Sequence, residues 1–163
     1  MKHLTLLIAA LFVSFGAMAQ AVYSLGCFTN SDGLQQAALY LNGERLHESV
    51  YNNSSSDALV CNPNTGDVYW TENVADPNGA RFGNVLMNDA CYLENSSDSG
   101  SSINALYWDV HEHSQSADDC LYSVGYKTDG NGRKHAVAWR GNSNADFWHP
   151  TWGTENPSEA FGI

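Results

Sequence analysis

The chain has 163 residues, 43% of them hydrophobic, with 7 Lys and Arg against 18 Asp and Glu for a net charge of −11. A surface this acidic repels phosphate, which argues against nucleic acids and anionic membranes as partners. The length suits one domain with a modest core.

The chain opens on a targeting pattern. Met1, Lys2 and His3 form a weakly basic start, Leu4 to Phe15 is mostly apolar, and Ala17-Met18-Ala19 puts small residues at both positions before a cut. A signal peptide over residues 1–19 is therefore expected, cleaved before Gln20, with the mature domain at 20–163. The apolar run is shorter than the roughly 20 residues of a spanning helix, and no later segment is apolar enough to span. The expected location is outside the cytoplasm: periplasmic, extracellular or on the cell surface. A lipoprotein cut before Cys27 fits less well, because Gln20, Tyr23 and Ser24 dilute the apolar run and "VYSLG" recurs downstream as "LYSVG".

From Val22 onward the chain is written in three units. "VYSLGCF" at Val22, "VYWTENV" at Val68 and "LYSVGYK" at Leu121 begin 46 and 53 positions apart. A second apolar stretch follows each, with Leu39 and Val85 seventeen positions on and Val137 sixteen on. A third begins at Arg45, Ala90 and Ala145, and a fourth at Ser56, Ile103 and Ser158. The stretches are short and rich in β-branched and aromatic residues, as strands are. Between the first and second lie "NSDG", "DPNG" and "TDGNG", whose Asn, Asp and Gly suit tight turns. A period near 40 to 50 residues points to propeller blades or a related array. The fold class expected is all-β: a β-propeller-like array of three four-stranded antiparallel blades, starting near residues 22, 68 and 121.

The VYxxG stretch, followed by an LWxNG-like strand (here LYLNG, VLMND and VAWRG), resembles the repeat of secreted bacterial β-propeller proteins of unknown function. The resemblance covers essentially the whole mature chain and implies a fold, with no catalytic residue and no substrate. Propellers close with about four to eight blades, so three blades leave the ring incomplete. Either a homodimer completes a six-bladed ring or the sequence is a truncated fragment of a larger propeller.

Cys27, Cys61, Cys91 and Cys120 in an exported chain suggest disulfides, and four cysteines allow three pairings, among which the spacing does not choose. His111 and His113 flank Glu112 and would share a face of a strand, a candidate metal pair; the Ser-, Gln- and Asp-rich surroundings favour a loop instead. "DGNG" at Asp129 lacks the glutamate a calcium loop needs at its twelfth position, where Arg140 falls, and turn chemistry accounts for it. Trp70, Trp108 and Trp139 read as packing residues. Trp148 and Trp152 beside His149 and Pro150 are candidate ligand-stacking residues, set against simple edge packing. The sequence holds no GxSxG, HExxH or Gly-rich phosphate loop. A carboxylate pair of glycosidase type could be drawn from Asp57, Asp67, Glu72 and Glu94, each of which is also a plausible turn or surface residue. The expected function is an exported binding or interaction module for a protein or glycan, requiring no cofactor and no catalytic site. The alternative is a carbohydrate-binding or glycoside-cleaving propeller.

Overall fold

A computed structural model of the chain describes residues 21–95, 100–110 and 116–143, together with Ser158, Ala160 and Phe161. The expected leader, His111, His113, Trp148 and Trp152 lie outside the described residues. The protein is all-β, built of three antiparallel sheets. Strands β1 (Tyr23–Thr29), β2 (Gln35–Leu41) and β3 (Glu44–Glu48) form the first sheet in that order. The second contains β4 (Ser54–Ser55), β5 (Leu59–Cys61), β6 (Val68–Ala75), β7 (Arg81–Met87) and β8 (Ala90–Asn95); β4 and β5 both pair with β6, which leads on through β7 to β8. The third joins β9 (Ser101–Trp108), β10 (Leu121–Thr128) and β11 (Lys134–Arg140) in the order β11-β10-β9, with one short helix, α1 (Ala117–Cys120), before β10. Among the described residues, no helix is long and apolar enough to cross a membrane.

The expectation of four strands in each sheet needs correction: the sheets hold three, five and three among the described residues. The second gains a strand because its opening segment breaks into β4 and β5 around Ser56–Ala58. There the amides of Asp57 and Ala58 turn to the Thr71 hydroxyl instead of a neighbouring strand. The opening segment also belongs to the sheet that follows it, since β5 pairs with β6 and β9 with β10. Among the described strands, none fills that place beside β1.

Side-chain chemistry at the turns explains the register. Asn30, Asp76 and Asp129 each accept, on a side-chain oxygen, the amides two and four residues ahead. Each also closes the same backbone loop, and the glycine three residues on (Gly33, Gly79, Gly132) has a φ near 80°, which a side chain would strain. The second hairpin is also built alike. Asn42 and Asn88, with φ of 52° and 57°, donate backbone amides to Val22 and Val68 and accept those residues' amides on Oδ1. Gly141 takes the equivalent place on Leu121, with the left-handed backbone but no side chain. At Asp129 the Arg133 amide, then His135 and the other turn donors, hold the carboxyl down to about 2.

A third recurrent contact joins each sheet to a serine farther along the chain, and the first two of these serines open β4 and β9. The amides of Ala37, Gly83 and Ala136 donate to the hydroxyls of Ser54, Ser101 and Ser158 at 2.9, 3.0 and 2.9 Å. Between sheets, strand alternation sorts the core. On β6, Val68 and Trp70 point toward Ala37 and Leu39 of the first sheet. Tyr69 points the other way, into a cluster with Val85, Ile103, Trp108, Leu121, Val137 and Trp139. Trp70, Trp108 and Trp139 are all buried packing residues, and Trp70 also donates its indole N–H to Asn88 O at 2.7 Å.

Backbone lies against backbone where β9 crosses the second sheet and bulges beside β10. A Cβ on Gly83 would sit 2.6 Å from Ile103 N, and one on Gly125 only 1.8 Å from Ser102 O. Real Cβ atoms do not approach this closely, so a methyl at Gly125 must push strands apart. We therefore expect Gly125→Ala to cost about 3 kcal/mol or more in urea unfolding. Gly130→Ala, with open space around its would-be Cβ, is expected to stay within about 0.5 kcal/mol of the parent.

Candidate functional site

The hairpin turn Asp76–Ala80 fixes the pairing of β6 with β7 so that Glu72 stands opposite Asn84. The pairing of β7 with β8, shifted by a bulge between Val85 and Leu86, places Asn84 opposite Glu94. The three side chains thus form one row across the second sheet, carboxylate, amide, carboxylate. By strand alternation the row shares a face with Trp70 and Leu86, the face turned toward the first sheet.

At the Trp70 end of that face, Ala37 and Leu39 cover the sheet; at the Glu72 end, two adjoining cavities remain. The first, about 260 Å³, is lined by Tyr51, Val74, Phe82, Asn84 and Glu94. The second, about 220 Å³, shares Tyr51, Asn84 and Glu94 with it and adds acidic Glu48, Glu72 and Asp89, together with Val50, Leu86 and Cys91. Tyr51 comes from the connection between β3 and β4, and that connection is held by its own hydrogen bonds. The Ser49 and Ser54 hydroxyls both donate to Tyr51 O, and the Tyr51 amide donates back to Ser49 Oγ. Tyr51 is therefore positioned by its backbone although its side chain is half exposed.

The polar groups of the row are unequally satisfied. Glu72 is only 2% exposed, and Asn84 Nδ2 donates to its Oε2 at 3.2 Å. A carboxylate accepts and does not donate, so this bond fixes which end of the amide faces Glu72. Asn84 Oδ1, also buried, has no hydrogen-bond partner among the described residues. Glu94 is exposed. Glu48, in the lining of the second cavity, pairs with Arg45 at 3.1 Å. The Cys91 thiol is pushed up, first by burial and then by the negative charges of Glu94 and Glu72, so it stays protonated and weakly nucleophilic. Burial pushes up the Cys61 thiol as well.

Of the four carboxylates singled out in the sequence, the structure brings Glu72 and Glu94 together and assigns the others to scaffolding. Asp57 accepts from Asn73 Nδ2 at 2.7 Å, and Asp67 from the Thr65 hydroxyl at 2.6 Å. Asn84 and Tyr51 were missed by sequence reasoning. Counting back from the "DPNG" turn would have set Asn84 opposite Glu72, whereas no sequence signal marks Tyr51. Among the described residues, no group of three or more His, Cys, Asp and Glu is placed to hold a metal ion. The expected disulfides do not form either: Cys27, Cys61 and Cys91 are exposed on three different strands, and Cys120 is packed in the core beside Trp108 and Leu121.

No protein-family model, no curated protein and no solved structure matches this chain.

Because Glu94 is the second cause of the raised Cys91 pKa, removing its charge lowers that pKa and enlarges the thiolate fraction at any pH below it. Thiol labelling followed by mass spectrometry at mildly alkaline pH should show Glu94→Gln labelling faster at Cys91 with Cys61 unchanged. Equal acceleration at both sites would trace the effect to loosening of the fold.

Proposed function

We propose that the chain is an exported binding module whose three sheets act as propeller-like blades, with the ligand taken by the cleft over the second sheet. The observation that carries this reading is the Glu72–Asn84–Glu94 row. It combines a buried carboxylate and an unpaired buried amide oxygen at a cavity wall, an arrangement costly to fold and useful to a ligand. Recurrence of the Asn30, Asp76 and Asp129 turns, and of the Ser54, Ser101 and Ser158 contacts, supports three equivalent units stacked in order. Binding alone is the reading: the thiol in the cleft is kept protonated, and Glu72 is hydrogen-bonded to an amide and not to a nucleophile among the described residues.

Among the described strands none lies on the outer side of β1, and that place suggests how a ring closes. In the other two sheets that place is filled by a strand arriving from the preceding unit. Ser158 is held as Ser54 and Ser101 are, so the segment after it is set up to fill the same place in another sheet, and β1 of a second copy is the sheet we assign to it. Native mass from light scattering after size exclusion is the test. A dimer that falls apart when Ser158 is replaced by Pro fits a ring closed between two copies. A monomer that stays monodisperse on concentration would remove ring closure from the proposal.

A further inference from the structure

The charged groups that line the cleft over β6, β7 and β8 are, among the described residues, all carboxylates. Glu72 and Glu94 present carboxylates, and Asn84, which lines both cavities, donates one amide N–H to Glu72 and keeps a buried carbonyl oxygen with no hydrogen-bond partner among the described residues. Among the described residues, neither cavity is lined by a Lys or Arg. A carboxylate as buried as Glu72, holding one neutral donor at 3.2 Å, is expensive unless a positive charge or further donors reach it. The remaining lining is apolar or aromatic, chiefly Tyr51, Phe82 and Val74.

We propose that this cleft takes an alkyl guanidinium or alkyl ammonium group: the charged head on the Glu72–Asn84–Glu94 row, the stem against Tyr51, Phe82 and Val74. This rests on the binding-module reading and names the ligand chemistry of its cleft. Guanidinium and ammonium groups carry several donors and no acceptor, matching a row in which two carboxylates and an unpartnered amide oxygen outnumber the donors. Their stems bury well against apolar walls, and aromatic faces attract their charge. A sugar hydroxyl both donates and accepts, so it would leave its own acceptor capacity unmatched on this row. Cavities of about 260 and 220 Å³ have room for a group the size of a side chain. The net charge of −11 would draw such a cation in from solution.

The test is an NMR titration of the whole chain with butylguanidinium and, at equal concentration, with butylurea, its neutral counterpart of like shape. The expected result is a saturable shift of the Asn84 side-chain amide and of Tyr51 with butylguanidinium, weakened by salt, and no saturable shift with butylurea. Glu94→Gln is expected to weaken binding about tenfold while leaving the rest of the spectrum in place, since Glu94 is exposed and its loss removes one charge-assisted contact. Tyr51→Ala provides a second variant, and it should weaken butylguanidinium more than methylguanidinium, which lacks the stem. Acetyl-Ala-Arg-Ala-amide distinguishes the source. Tighter binding than butylguanidinium assigns an arginine side chain in a peptide, and binding no tighter assigns a free organic cation. Equal response to the neutral and charged probes, or none to butylguanidinium at millimolar concentration, overturns the proposal. A glycan panel run on the same sample separates the failures: shifts there with none from the cation would keep a binding module and discard its cationic ligand, and silence in both would discard the module too.

Discussion

Everything else in the structure depends on the closeness with which β9 can lie across the second sheet. Its backbone is approached almost without side chains from both sides, by Gly83 of the second sheet and by Gly125 of β10 beside its bulge, and the polar groups exposed by that approach need partners. Asn73 supplies them from β6. Its Oδ1 accepts the Ile103 amide and its Nδ2 donates to the Ile103 carbonyl, both at 2.9 Å, with a further donation to Asp57. One buried side-chain amide thus does for Ile103 what a neighbouring strand would do. Without it, a donor and an acceptor would be buried unpaired at roughly 1–3 kcal/mol each. With it, Ile103 can sit in the same apolar cluster as Tyr69, Val85 and Trp139.

The consequence for the opposite face of the second sheet is direct. Tyr69 and Asn73 of β6 are committed to the third sheet, so by strand alternation Trp70 and Glu72 face the first. Ala37 and Leu39 reach Trp70 and cover it. Farther along, the first sheet ends at Glu48, and the connection carrying Tyr51 replaces it. A cleft remains at that point, and the polar row lies in its wall. The cleft is therefore a by-product of where β3 stops, walled by the two glutamates and the amide between them.

Sequence and structure agree where chemistry is local. The turns at Asn30, Asp76 and Asp129 were legible because Asn or Asp followed by Gly states both the hydrogen bonds and the left-handed backbone. Those turns also fix one hairpin in each of the three sheets, and with it the opposition of Glu72 and Asn84. Legibility fails where register depends on tertiary contacts. The bulge between Val85 and Leu86 decides that Glu94 joins the row, and the bulge at Gly125 decides that Asn104 leaves the ladder to donate to Ala160 O. The split of the segment after Ser54 into β4 and β5 is equally hidden, because the Thr71 hydroxyl that captures the intervening amides lies on another strand. Tyr51 belongs to a stretch with no period at all, held by serine hydroxyls.

Amide hydrogen exchange at Ile103 tests the central constraint most directly, because that amide is protected by a side chain and not by a ladder. The account predicts that Ile103 exchanges only when the whole domain unfolds, with protection matching the ladder amide of Val85. Exchange at the rate of an exposed turn such as Gly130 would mean that Asn73 does not bind β9 to the second sheet, and the arrangement built on that contact would be wrong.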